Sequence, residues 1–133
     1  KALIAADEIV ITATPDLASL RNAKQMLEFC RQQRLHDPMP LLVLNQVGQP
    51  RTPEINPDDF ASALRLEPGP QIPFNAALFG KALNNGQVIV EFAERSAITR
   101  TFLDIGRHID GYKRARRTPT LGRKIIRTLK RWW

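Results

Sequence analysis

Apolar positions along this chain follow two rhythms. Short unbroken runs alternate with longer stretches in which apolar residues return every three or four positions. The clearest run is Leu41-Leu-Val-Leu44, followed by Asn45 and bounded by Pro40 and Gly48. It is too short for a helix and has no polar face, so it predicts a strand buried on both sides, as in a parallel sheet covered by helices. Ile9-Val-Ile-Thr-Ala13 is β-branched and predicts a second strand. Gln71-Ile-Pro-Phe74 predicts a short extended piece, because Pro73 cannot donate to a ladder in a long central strand.

The helical rhythm fills the intervals. From Thr14 to about Arg34, Leu20, Ala23, Leu27 and Cys30 share one face, while Arg21, Lys24, Gln25, Glu28 and Gln32 point away. Thr14 is the expected N-cap, with Pro15 in the first turn and Asp16 favourable to the helix dipole. Asn56-Pro-Asp-Asp59 opens a second helix that turns Phe60, Ala63 and Leu64 inward. After Pro68-Gly-Pro70, Asn75 caps a third, through Leu78, Phe79, Ala82 and Leu83, which ends at Asn84-Asn-Gly86. Val88–Val90 leads into the last body helix, with an apolar stripe of Ile98, Phe102, Ile105 and Ile109 and Gly111 as its stop. The order is strand, helix, strand, helix, short strand, helix, helix. That is an α/β pattern, a partial and mostly parallel sheet flanked by helices. So narrow a sheet, with so apolar a central strand, leads to the expectation that further strands belong beside it. The chain opens in mid-pattern at Lys1–Ala6, as though at the end of a preceding element.

In open α/β sheets the ligand sits beyond the carboxyl ends of the strands. Asn45 stands at such an end, and it either reads a ligand or starts a turn. Thr12, Thr14 and Asp16 stand at another, facing a ligand or a partner, with capping the expected role of Thr14. Cys30 is the sole cysteine, which excludes an internal disulfide and fits a small core residue better than a reactive thiol. Neither His36 nor His108 has a second ligand at metal spacing. No run approaches the roughly 18 apolar residues of a spanning helix.

Charge separates the chain into two parts. Residues 1–110 hold 11 Lys and Arg against 13 Asp and Glu, whereas residues 111–133 hold 9 Lys and Arg and no acid. The basic balance therefore describes a tail that seeks an anionic surface. Three parts are expected: a body over 1–111, a basic linker over 112–120 and an amphipathic helix over 121–133.

In that last part, Leu121, Ile125, Ile126, Leu129, Trp132 and Trp133 occupy one arc of a helical projection. Arg123, Lys124, Arg127, Lys130 and Arg131 occupy the opposite arc. At about 1.5 Å rise per residue, 13 residues reach about 20 Å, too short to span a bilayer. A cationic face, an apolar face and terminal Trp residues suit a helix lying in a membrane interface, so anionic lipids are the expected partner. A tail packed back on the body is the alternative. A basic nucleic-acid tail is the other alternative and the less expected one, because phosphate contacts call for cations but do not account for the apolar arc.

Several of these stretches carry a resemblance. Ala6-Asp-Glu-Ile-Val-Ile-Thr-Ala-Thr-Pro-Asp-Leu-Ala-Ser-Leu-Arg-Asn-Ala23 resembles the segment after the Walker B strand of MinD/ParA-type ATPases. Val43-Leu-Asn-Gln-Val47 resembles their strand ending in an adenine-reading Asn, and Ile72-Pro-Phe-Asn75 with Asn84-Asn-Gly86 resembles their Ile-Pro-x-Asp and Asn-x-Gly stretches. The wording Pro15-Asp-Leu-Ala-Ser-Leu-Arg-Asn22 and the piece Phe79-Gly-Lys-Ala82 are most similar to the pilus-assembly branch, the CpaE/TadZ-type proteins. The resemblance covers about residues 4–110 and concerns the C-terminal half of that fold.

It implies a P-loop NTPase fold in which Asn45 hydrogen-bonds the adenine edge. Pro73 and Phe74 would offer backbone groups to the base, and Asn75 stands where Asp is common. Gly80-Lys81 is the only Gly-Lys pair, and Ala82 follows where Ser or Thr is needed, so no phosphate-binding loop is expected here. The resemblance thus implies ATP or ADP with Mg in a longer parent and no nucleotide held by this chain alone. It also implies a weak ATPase activity of that parent, a homodimer, pilus or secretion machinery as partners, and a cytoplasmic place on the bacterial inner membrane. The tail is similar to the membrane-targeting helix of MinD-type proteins.

Overall fold

A computed structural model describes residues 2–117. The element order is α1 (Ala2–Ala5), β1 (Val10–Ala13), α2 (Leu17–Gln33), β2 (Leu41–Val47), α3 (Pro57–Leu64), β3 (Gln71–Pro73), α4 (Ala76–Asn84), α5 (Ile89–Phe92) and α6 (Ala97–Arg117). The three strands form one parallel sheet in the order β1-β2-β3, flanked by helices, which is the α/β architecture read from the sequence. Val10 to Ala13 pair in step with Leu41 to Leu44, and Asn45 pairs with Ile72. The register shifts between Asn45 and Val47.

The centre of β2 is buried on both sides. Leu42 and Leu44 pack with Ile11, Ala23, Leu27 and Phe60 on one face, and Val43 packs with Ile72 and Ile98 on the other. Successive strand side chains point to opposite faces, so the unbroken apolar run feeds two cores. Helices α2 and α3 cover the first face, and α4, α5 and α6 supply the second. Cys30 is buried in α2, in the place expected of a small core residue.

The segment before β3 lies hard against β2. The Leu44 N–H donates to Pro70 O at 3.0 Å. A Cβ on Gly69 would fall 1.7 Å from Leu42 O, so only glycine allows this approach. The Pro68-Gly-Pro70 break thus seats β3 as well as interrupting the chain.

Four local expectations change. The cap of α2 is Asp16, not Thr14: Asp16 is extended at φ −124° and ψ 165°, and its side chain accepts from Ser19 N. Asp16 has the reach to an N3 donor and Pro15 precedes the helix, so Thr14 instead bonds the Asp16 carboxylate through its hydroxyl. In α3 it is Ala61, not Ala63, that joins Phe60 and Leu64 inside, because one face of this short helix is fixed by the sheet. Leu83 of α4 is 79% exposed, and Ala82 alone of that helix is fully buried. Finally, α6 does not stop at Gly111 but continues to Arg117, so residues 112–117 prolong the helix instead of opening a linker. A single helical glycine costs about 1 kcal/mol and does not by itself end a helix. The proposed amphipathic segment 121–133 lies outside the described residues.

Candidate functional site

The carboxyl ends of β2 and β3 open onto a cavity of about 260 Å³. Asn45 and Gln46 form one side, where β2 ends. Pro73, Phe74 and Asn75 form another, where β3 turns into α4. Phe79 of α4 and Phe102 of α6 complete it. The structure therefore brings together all four residues singled out for adenine: Asn45, Pro73, Phe74 and Asn75.

Local geometry explains how they converge. Asn45 is paired with Ile72, so the two strand ends stand side by side. Gln46 then adopts φ +61°, a left-handed conformation unusual for a residue with a side chain. Its N–H donates to the Asn45 side-chain oxygen at 2.9 Å. One acceptor position of the Asn45 amide is thereby engaged. The turn also kinks β2 before Val47, whose carbonyl accepts the Phe74 N–H at 2.8 Å. That bond fixes the β3 end. With that N–H occupied, the backbone group Phe74 still has to offer is its carbonyl.

Asn75 is a helix cap. Its Oδ1 accepts from Leu78 N at 2.9 Å, as the sequence led one to expect. Gly80-Lys81-Ala82 lies inside α4, with Ala82 buried, and has none of the loop geometry of a phosphate cradle. The Gly-Lys pair, inside a helix, does not fit phosphates or magnesium.

The carboxyl end of β1 borders a different cavity, of about 210 Å³, with Thr14 and Asp16 on one side and Gln46, Gln49 and Glu54 on the other. Glu54 accepts from Gly48 N at 2.8 Å and closes the loop between them. The Thr14 hydroxyl, chiefly, and the Ser19 N–H hold the Asp16 carboxyl below its ordinary value of 3.8, against a smaller opposing effect of burial. Two carboxylates beside this space disfavour an anionic phosphate there. Thr12 is apart from both, in a cavity of about 330 Å³ along the outer edge of β1 with Val10, Asn22 and Met26. Among the described residues no strand pairs with that edge.

Gln46 and Phe102 escaped the sequence reading. Nothing in Asn-Gln-Val distinguishes a residue held at positive φ, and Phe102 falls in the apolar stripe of α6, where an aromatic reads as core. Among the described residues no group of His, Cys, Asp and Glu could hold a metal ion, and no helix is long and apolar enough to cross a membrane.

A parallel sheet flanked by helices, with a cavity beyond the carboxyl ends of its strands, has that cavity where open α/β sheets take their ligands. The fold is more specifically that of the MinD/ParA-type P-loop NTPases, as comparison with solved structures shows. A ParA family ATPase from Chlorobium tepidum TLS aligns with a TM-score of 0.61 and 28% identity, over 77% of this chain and 41% of that one. The MinD cell division protein of Aquifex aeolicus aligns with a TM-score of 0.67 and 19% identity, over 83% of this chain and 46% of that one. The same organism's MinC:MinD complex gives 0.65 and 19%, over 89% and 46%. The chain spans less than half the length of each. No protein-family model matches it, and no curated protein sequence does.

Proposed function

We propose that this chain is the base-recognising part of a MinD/ParA-like nucleotide switch serving a pilus-assembly apparatus of the CpaE/TadZ kind. The observation that carries the reading is the meeting of Asn45, Pro73, Phe74 and Asn75 around one cavity at the carboxyl ends of β2 and β3. In the longer parent the base of ATP or ADP would occupy this cavity, while a glycine-rich loop in the other half would hold the phosphates and Mg. Nucleotide would then favour a homodimer. The basic, amphipathic segment of residues 121–133 would hold the dimer on anionic inner-membrane lipids, and two tails per dimer would raise avidity. The pilus assignment rests on the wording of residues 15–22 and 79–82, and the membrane assignment on the pattern of the tail.

A second reading has its own observation. Asn75 stands where such proteins often carry Asp, and its oxygen is committed to capping α4. A scaffold with a degenerate nucleotide site would be built this way.

Nucleotide titration of a parent that includes the glycine-rich loop separates the two. The switch reading expects ATP binding that Asn45→Ala weakens by roughly two- to tenfold, the worth of one net hydrogen bond. An absence of ATP binding favours the scaffold. Flotation with anionic vesicles, with and without residues 120–133, tests the tail, and equal flotation of the two would remove the membrane assignment.

A further inference from the structure

Phe102 is out of character for its position. It stands one turn from Ile98, which is 4% exposed, and one turn from the half-buried Ile105, yet it is itself 36% exposed. A residue in the middle of a core stripe is ordinarily covered by what the stripe packs against. Here the covering is incomplete because the cavity lies beside the ring. Phe74, on the β3–α4 turn, shares the cavity and is 37% exposed, with its backbone pinned by the bond to Val47 O. Two half-open phenyl rings, from elements far apart in sequence, thus border one space.

The remaining lining is uncharged. Asn45 and Gln46 bring amides, Asn75 brings an oxygen already engaged at Leu78 N, and among the described residues no Lys, Arg, Asp or Glu borders the cavity. At about 260 Å³ the space is below the range of roughly 300–1,000 Å³ for drug-sized ligands. Aromatic walls, a neutral lining and the amides of Asn45 and Gln46 suit a flat, neutral, hydrogen-bonding ring system. They do not suit a phosphate.

Resting on the base-site reading above, we propose that Phe102 is a base-contacting residue. With Phe74 it makes an aromatic slot that takes a purine by its face while Asn45 reads the edge. The slot works without phosphate contacts. This chain by itself therefore takes adenosine weakly, at millimolar concentration, and prefers it no less than ATP. Helix α6, which carries Phe102, also leads into the basic tail, so the occupant touches the element to which that tail is joined.

The test is an NMR titration of the full 133-residue chain with adenosine and with ATP, on the wild type, Phe102→Leu and Asn45→Ala. Leu keeps apolar volume but removes the π face. Base–aromatic stacking is worth about 1–3 kcal/mol by alanine substitution, so Phe102→Leu should weaken adenosine about fivefold or more. Thermal midpoints should match, and adenosine should bind the wild type at least as well as ATP does. If Asn45→Ala weakens adenosine and Phe102→Leu does not, the slot is wrong and the base site survives. If the wild type shows no adenosine binding at tens of millimolar, the base site falls and the slot with it. ATP binding at least tenfold tighter than adenosine would overturn the phosphate-independent slot.

Discussion

The two faces of the sheet are built to different standards. On the side of α2 and α3, Phe60, Leu27, Leu42 and Leu64 are at most 2% exposed and interlock with both longer strands. On the side of α4, α5 and α6, the fully buried cluster is Val43, Ile72 and Ile98, rimmed by half-buried Leu78, Phe79 and Ile105. The same strand, β2, serves both. The first face is closed at its centre and opens only along the outer edge of β1, beside Ile11 and Ala23. The second leaves a cavity at its upper end, and that is where the chemically distinctive residues meet. One face closes over its centre, and the other leaves a cavity where β2 and β3 end.

Substitutions can break this contrast, and the largest effect belongs to the closed face. Phe60→Ala should cost about 3–5 kcal/mol, as for other buried aromatics, read as a drop in the urea midpoint. Ile98→Ala, on the thinner face, should fall at the low end of the range of about 2–5 kcal/mol for Ile→Ala, because its neighbours have space to relax. Equal losses at the two positions would mean that the faces are equally well packed. Asp16→Ala removes the cap of the long helix on the closed face and should cost about 1 kcal/mol.

The Asp16 loss should depend on pH. Its folded carboxyl titrates below the unfolded value. The ion therefore contributes stability above about pH 4, and that share is lost as pH falls through 4 toward the folded value. The gap between wild type and Asp16→Asn in urea should accordingly narrow from pH 6 to pH 3, and a constant gap would remove the assigned role. Smallest in stability is Phe102→Leu, expected within about 0.5 kcal/mol of wild type because the ring is only half covered, whereas its effect on adenosine is expected to be severalfold. A large loss of stability there would make Phe102 a core residue.

The sequence made the strands and caps legible because their causes are local. Pro40 and Gly48 bracket β2, Pro73 limits β3, and Asn56 and Asn75 announce their helices by side-chain chemistry alone. Asn45 could be chosen because a strand end is visible in one dimension, whereas only the resemblance to MinD/ParA-type ATPases pointed to Pro73, Phe74 and Asn75 as a site. Other features depended on what lies across space. Thr14 and Asp16 both qualify as caps, and only the entry angle of α2 selects Asp16. Ala61 and Ala63 differ only in which way α3 rolls on the sheet. Gly111 could end a helix, and the continuation to Arg117 overrides it. Phe102 and Gln46 belong to the cavity by virtue of tertiary contacts and of a backbone angle, neither of which leaves a mark in residue type.

The most direct measurement of the central claim is a map, on the intact chain, of which backbone amides shift when adenosine is added. The account expects the changes to concentrate at Asn45 and Gln46, at Phe74 and Asn75, and around Phe102, with the closed face silent at Leu27 and Phe60. Shifts gathered instead along the β1 edge at Val10 and Met26, or none at any attainable concentration, would contradict it.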